Sequence, residues 1–227
     1  MNQDNNKKIE KQFLCQGLSF SGAITASVTH ELNNVLGTIE QLSGLLEDLA
    51  YGLSKGESVS EDQMNSLAER ITKQTERGTV LTKRLNSFAH SCDSEYLNCN
   101  LYDIVENLSA LINRLAQMKR SEIVVVVPDK EIFLWTYPFL VMHILFLILK
   151  SILLLVKRET GIQVILTGND SESVVSISLE HSGTDNSFVI NEEINSLASQ
   201  LPASIISQED DRRFLVDLKI PVLGSKA

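Results

Sequence analysis

A histidine, a carboxylate and an amide stand close together in the N-terminal part of the chain, and these residue types suit phosphoryl chemistry. His30 is followed directly by Glu31, and Asn34 lies one helical turn further on. A carboxylate near one imidazole nitrogen fixes the tautomer of the ring and raises its basicity, which leaves the other nitrogen free to attack. The pattern therefore favours a nucleophilic histidine that takes up a phosphoryl group.

The helix that must present His30 is predicted over residues 18–53 and is amphipathic. His30 lies two residues from both Val28 and Leu32, which belong to the apolar stripe, so its side chain points away from that stripe into solvent. Asn34 shares this polar face with His30. The stripe recurs at gaps of three and four and consists of Ile24, Val28, Leu32, Val35, Ile39, Leu42, Leu46, Leu49 and Leu53.

The sequence around His30 resembles the phosphoacceptor motif of two-component histidine kinases, which reads His-Glu-hydrophobic-Asn-Asn-Pro-Leu. The match covers His30 to Asn34 and Leu36, while Val35 stands where the family usually has a helix-bending proline. The resemblance implies that His30 accepts the phosphoryl group, that Glu31 activates it, and that Asn34 contacts a receiver domain or positions water for dephosphorylation. The alternative is a solvated surface histidine on a coiled-coil-like helix.

A second helix is predicted after a turn marked by Gly52 and Gly56. Ser60 opens it, and Gln63 stands at the capping-box position. The two helices are expected to form an antiparallel hairpin over residues 17–92. Because a lone hairpin leaves part of its apolar stripe uncovered, a homodimeric four-helix bundle is expected. The alternative is that both helices pack only onto the rest of their own chain.

Residues 93–227 are predicted to form a two-layer α/β sandwich, which makes the whole chain α+β. Residues 1–16 are polar and are expected to be a flexible tail. Asn100 is a plausible N-cap after a linker over residues 91–100. Helices are predicted at 101–119, from Pro138 onward and at 188–200, and strands at 123–127, 132–135, 161–167, 173–180, 203–207 and 213–220.

This order of elements resembles the ATP-binding domain that follows the hairpin in histidine kinases, but the nucleotide motifs are degenerate. The resemblance implies two asparagines on the apolar helix, where this chain has Leu147 and Ser151, and the adjacent Lys150 would repel Mg²⁺. The counterpart of the first glycine box, His181 to Asp185, lacks the expected aspartate and second glycine. Since phosphates need backbone amides in glycine turns, no nucleotide cofactor is expected.

Together these resemblances imply a histidine phosphotransferase of a phosphorelay. Such a protein passes a phosphoryl group through His30 to or from a response-regulator receiver domain without ATP. Two alternatives stay open: a non-catalytic dimeric module that binds a receiver or kinase, and an active histidine kinase with divergent nucleotide boxes. Fold resemblance does not separate these functions.

The amino-acid composition limits which kinds of partner and which cellular compartment are expected. The formal net charge of the 227 residues is −9, and the absence of a dense Lys/Arg cluster argues against a nucleic-acid partner. Three cysteines and four histidines show no metal-ligand spacing, so no metal site is expected. The polar start of the sequence lacks the apolar core of a secretory signal, and a reducing cytoplasm is expected.

One segment, residues 139–156, is apolar and long enough to suggest a membrane span. Lys150 lies within it, and a charge at that depth is costly in lipid. We expect instead a buried helix that packs against the sheet, and no membrane span.

Overall fold

A computed structural model describes residues 2–93, 96–156, 159–169, 172–180, 190–201, 203–209 and 213–221. Within these ranges the chain forms a long helical hairpin followed by a mixed α/β unit, which is the predicted α+β class. The helices are α1 (Asn2–Ser54), α2 (Glu61–His90), α3 (Leu101–Leu111), α4 (Asn113–Met118), α5 (Pro138–Leu155) and α6 (Glu192–Ala198). The strands are β1 (Leu97–Asn100), β2 (Glu122–Val125), β3 (Phe133–Thr136), β4 (Gly161–Gly168), β5 (Glu172–Glu180), β6 (Ser204–Glu209) and β7 (Arg213–Pro221).

The helices α1 and α2 form the predicted hairpin. Ser60 caps α2 as expected: its Oγ accepts a hydrogen bond from the Gln63 backbone N–H at 3.2 Å, and the Gln63 side chain accepts one from the Ser60 N–H at 3.0 Å. The start of α1 differs from the prediction. The helix begins at Asn2 rather than near residue 18, so the backbone of residues 2–16 belongs to α1.

Five strands form the main sheet in the order β2-β4-β5-β7-β6. The strands β2 and β4 run parallel, and the other neighbours are antiparallel. In the turn between β4 and β5 the Asn169 side chain accepts a hydrogen bond from the Glu172 N–H at 2.9 Å. Alternating residues on β4, such as Ile162 and Val164, are fully buried, so one face of the sheet is apolar.

The helix α5 supplies much of the core beneath this sheet. It is long and apolar enough to cross a membrane, with a mean hydropathy of 2.3, yet 61% of the window Pro138–Leu155 is buried inside the protein. Ile144 and Ile148 are fully buried, which agrees with the predicted core helix. Lys150 stays exposed and places its Nζ 5.6 Å from the centre of the Phe146 ring.

Three stretches differ from the predicted elements. The linker over 91–100 contains β1, which pairs antiparallel with β3 in a separate two-stranded sheet. The single helix predicted over 101–119 is interrupted at Ile112. There the Leu111 carbonyl accepts a hydrogen bond from the Ser27 hydroxyl of α1 at 2.9 Å, a contact between distant residues that the local pattern does not reveal. The last predicted helix is shorter, Glu192–Ala198, and residues 188–189 lie outside the described part.

An aromatic cluster and an ion pair join the hairpin to the α/β unit. Phe20 of α1 stacks on His143 of α5, with ring centres 4.7 Å apart and an interplanar angle of 2°, and meets the edge of Phe88 from α2 at 5.3 Å. Arg84 of α2 binds both carboxylate oxygens of Glu106 on α3, and this hydrogen bonding raises the pKa of Arg84. Both contacts hold α1 and α2 against the core.

His143 is expected to make the stability of the fold depend on pH. Burial lowers the pKa of His143 to about 4, whereas an unfolded chain has a histidine pKa of about 6.5. Below pH 6.5 the unfolded state binds a proton that the folded state does not. The contribution of neutral His143 to the free energy of unfolding is therefore complete above about pH 6.5 and is lost by about pH 4. The whole change amounts to roughly 3 kcal/mol. Urea unfolding at pH 7.5 and at pH 4.5 measures this dependence. Between these two pH values the free energy of unfolding of the wild type should fall by about 2 kcal/mol more than that of His143→Phe. An equal fall in both proteins would contradict the role of His143.

Candidate functional site

The three residues predicted to form the site lie together on α1, with His30 and Asn34 exposed and Glu31 half-buried. The His30 side chain is 48% exposed. The Asn34 Nδ2 atom lies 3.3 Å from His30 Nδ1, and the nearer carboxylate oxygen of Glu31 lies 4.0 Å from the same nitrogen. His30 Nε2 has no hydrogen-bond partner among the described residues. The half-exposed ring therefore leaves this nitrogen without a competing hydrogen bond from the described residues.

The Asn34 amide determines which tautomer of His30 is favoured. When the amide NH₂ donates to Nδ1, the imidazole proton must reside on Nε2, and that nitrogen cannot attack. When the amide is turned over, its carbonyl oxygen accepts a hydrogen bond from Nδ1–H, and the Nε2 lone pair is available. The same contact can thus hold the ring in a resting or a nucleophilic form.

Arg77 completes the site from the opposite helix, and the sequence pattern did not single it out. Its guanidinium donates to the Glu31 carboxylate, with Nη2 and Oε2 2.6 Å apart. The Glu31 side chain is only 13% exposed, so the pair is partly shielded from water. Glu31 was expected to activate His30 directly, but 4.0 Å is too long for a hydrogen bond. The carboxylate instead pairs with Arg77, and its charge lies 4.0 Å from His30 Nδ1.

The backbone of α1 continues without a break past the site. Val35, which stands where the resemblance implies proline, is buried. It packs beside Gly78 of α2, where an added Cβ would lie 3.3 Å from Val35 Cγ1. The two helices therefore approach closely one turn beyond His30, and this contact helps to bring Arg77 within reach of Glu31.

An open apolar groove of about 720 Å³ begins next to the site on the hairpin. Leu36, which is 61% exposed, lies on its wall, and Val80 on the neighbouring surface of α2 is 48% exposed. Toward the turn at residues 55–60, large exposed apolar side chains continue along α1, and Met64 is exposed near the start of α2. The residues that line the groove are Leu32, Val35, Leu36, Ile39, Thr75, Gly78, Thr79, Thr82, Lys83 and Asn86.

The positions that correspond to the nucleotide motifs of histidine kinases are only partly described. Leu147 and Ser151 are half-buried on α5, and neither is an asparagine. The segment from His181 to Asp185, the counterpart of the first glycine box, lies outside the described residues. In the part of the chain that the structure describes, no group of three or more His, Cys, Asp or Glu side chains is placed to hold a metal ion.

The geometry defines a class of protein: an α+β chain whose helical hairpin presents a solvent-facing histidine and is followed by a helix-backed sheet. No family model matches the sequence, and no curated protein matches it. Among solved structures, the chain is similar to the Acinetobacter baumannii histidine kinase AdeS, with 10% identity over 86% of this chain and 98% of that one, and a TM-score of 0.48.

Two further solved structures are similar. One is a histidine kinase from Burkholderia phymatum STM815, with 9% identity, coverage of 90% of this chain and 98% of that one, and a TM-score of 0.49. The other is the histidine kinase ThkA in complex with the response regulator TrrA. It shows 14% identity, coverage of 97% of this chain and 67% of that one, and a TM-score of 0.48. At such identities the likeness concerns the fold alone, and TM-scores below 0.5 assign no role to any residue.

Proposed function

We propose that this chain is a histidine phosphotransferase of a two-component phosphorelay. In this proposal His30 takes a phosphoryl group from one response-regulator receiver domain and returns it to another. The observation that supports it most is the half-exposed imidazole whose Nε2 has no partner among the described residues, while Nδ1 lies within 3.3 Å of Asn34. An in-line displacement at phosphorus needs a nitrogen that is both reachable and in the right tautomer.

The proposed step is a single displacement. The Nε2 lone pair of His30 attacks the phosphorus of the receiver's aspartyl phosphate, the bond from phosphorus to the aspartate oxygen breaks, and the carboxylate leaves with that electron pair. Once the Asn34 amide is turned over from the orientation in which Nδ2 faces the ring, its carbonyl oxygen accepts a hydrogen bond from Nδ1–H and keeps the imidazole proton there. The positive charge that develops on the ring lies 4.0 Å from Glu31 and is stabilised by it. The reverse displacement passes the group to the next receiver.

Arg77 is expected to favour the phosphorylated state. A phosphoryl group carries about two negative charges near neutral pH, and without Arg77 the Glu31 carboxylate would repel it. The substitution Arg77→Met should lower the extent of labelling by a phosphorylated receiver about three- to tenfold, with Arg77→Lys retaining part of it. Single-turnover transfer measures this, with Arg70→Met, two turns earlier on α2, as control. Unchanged or faster labelling of Arg77→Met would show that Arg77 has no such role.

The uncovered face of the hairpin is proposed to bind a second copy of the chain. The groove beside His30 and the exposed Leu36 and Val80 lie on the helices that would form the seam of a four-helix bundle. Residues 17–92 then serve as the dimerisation and phosphoacceptor unit. Residues 93–227 serve as a degenerate ATPase-like domain that helps to hold the receiver. The protein is proposed to act in the cytoplasm, where its three free cysteines stay reduced.

The proposal requires no nucleotide, and we predict that ATP does not bind. Leu147 and Ser151 offer no amide ligand, and the Lys150 ammonium beside them would repel Mg²⁺. Isothermal titration calorimetry with ATP and Mg²⁺ should show no saturable heat up to millimolar concentration. A dissociation constant in the low micromolar range would instead favour an active histidine kinase with divergent nucleotide boxes.

A further inference from the structure

A cavity of about 520 Å³ lies where the hairpin meets the α/β unit, away from His30. Phe13 and Gly17 of α1 form one side, and Phe139, Leu140 and His143 of α5 form another. The remaining wall comes from Ser91, Cys92, Tyr137, Leu197 and Gln200. The volume falls within the range of small-molecule sites, about 300–1,000 Å³, and the wall is largely aromatic and aliphatic.

His143 is the deeply buried polar side chain on the wall of this cavity. The residue is only 2% exposed, and its ring is fixed by stacking on Phe20. The ring also contacts Phe139, with ring centres 6.1 Å apart, and no hydrogen bond of either ring nitrogen is seen among the described residues. Since burial keeps the imidazole neutral near pH 7, it offers one donor and one acceptor but no charge.

The other polar groups on the wall are also uncharged. None of the described residues that line the cavity is Lys, Arg, Asp or Glu. Burial raises the pKa of the Cys92 thiol, so this group too stays neutral, and the Ser91 hydroxyl already donates to the Phe88 carbonyl at 2.6 Å. A charged ligand would lose its hydration here without gaining an opposite charge.

We infer that this cavity is a binding site for an uncharged, flat aromatic molecule of one or two rings, whose hydroxyl or ring N–H pairs with His143. The ligand's rings would lie against Phe13, Phe139 and Leu140. The inference does not depend on phosphotransfer at His30. Because the cavity takes its walls from α1, α5 and α6, an occupant would contact the hairpin and the α/β unit at once and would tie the two together.

Three matched probes test the chemistry: 2-naphthol, which carries one hydroxyl, naphthalene, which carries none, and 2-naphthoate, which is an anion. Two-dimensional NMR of the full chain at pH 7.5 would follow the methyl signals of Leu140 and Leu197. We expect 2-naphthol to bind saturably, with a Kd of about 0.1 mM for so small a ligand. Naphthalene should bind about tenfold more weakly, because the His143 hydrogen bond is missing, and 2-naphthoate more weakly still.

Two variants test the location. In His143→Phe the stacked ring is kept but its hydrogen bonding is lost, so 2-naphthol should bind about tenfold more weakly while naphthalene changes little. Gly17→Leu should block all probes, since a Cβ there already lies 3.7 Å from Phe139 and the rest of the side chain extends into the cavity. Gly22→Leu is the matched control, because nothing lies within 4 Å of its Cβ position.

The inference is overturned if 2-naphthol produces no saturable shifts at Leu140 and Leu197, or if it binds Gly17→Leu as well as the wild type. Equal binding of naphthol and naphthalene to the wild type would also overturn it, since His143 would then contribute no hydrogen bond. Circular dichroism confirms that each variant is folded. If His143→Phe does not fold, the Gly17→Leu variant and the comparison of the three probes still test whether the cavity binds this class of ligand.

Discussion

Replacing His30 with alanine is expected to abolish labelling of this protein by a phosphorylated receiver domain while leaving the fold intact. In the proposed step His30 supplies the attacking nitrogen, so its removal should reduce transfer by more than about a hundredfold. The side chain is half-exposed, and a surface substitution usually costs less than about 0.5 kcal/mol of stability. Transfer from a receiver carrying labelled phosphate measures the first effect, and thermal unfolding measures the second.

The chain offers a matched control for this experiment. His90 is also an exposed histidine beside a carboxylate, with its Nδ1 2.5 Å from Asp93 Oδ2. It lies at the end of α2 and lacks the amide one turn on that Asn34 provides for His30. His90→Ala should label like the wild type. Full labelling of His30→Ala would contradict the assignment of His30. A loss of labelling in His90→Ala would contradict it as well.

The second large effect is expected at the hairpin surface. Leu36→Glu should dissociate the proposed homodimer, because a charge placed without a partner in an apolar seam costs several kcal/mol. The side chain is 61% exposed in the single chain, so the same change should hardly affect the folding of one copy. Multi-angle light scattering at micromolar concentration should give about twice the 25.3 kDa chain mass for the wild type and the single mass for the variant.

Leu154→Glu is the control for the dimer experiment, since Leu154 is 69% exposed but lies on α5 rather than on the hairpin. This variant should keep the wild-type mass. A wild-type chain that stays monomeric at micromolar concentration would exclude the homodimer. Dissociation of Leu154→Glu, with Leu36→Glu still dimeric, would place the interface on the α/β unit instead.

Local sequence signals predicted the parts of the fold that depend on neighbouring residues. The capping box at Ser60, the N-cap at Asn100 and the proline at the start of α5 are patterns within four residues, and each is present as expected. The helical face shared by His30 and Asn34 follows in the same way from the 3.6-residue period.

Contacts between distant residues could not be predicted from the sequence. Arg77 reaches Glu31 across 46 positions, and only the register of the two helices brings them together. The carbonyl at the break after α3 accepts a hydrogen bond from the Ser27 hydroxyl, 84 positions away. The stacking of Phe20 on His143 likewise requires the docked hairpin. Such residues carry ordinary local patterns, so no periodicity or spacing singles them out.

Whether His30 accepts a phosphoryl group is decided by locating the phosphate after transfer. The wild-type protein is mixed with phosphorylated receiver domains from the same cell, and the labelled chain is analysed by mass spectrometry under alkaline conditions, which preserve phosphohistidine. We expect one phosphoryl group, on His30. The phosphotransferase role is contradicted if a receiver binds the wild type and His30→Ala with equal affinity and His30 carries no phosphate. That result is expected of a non-catalytic binding module.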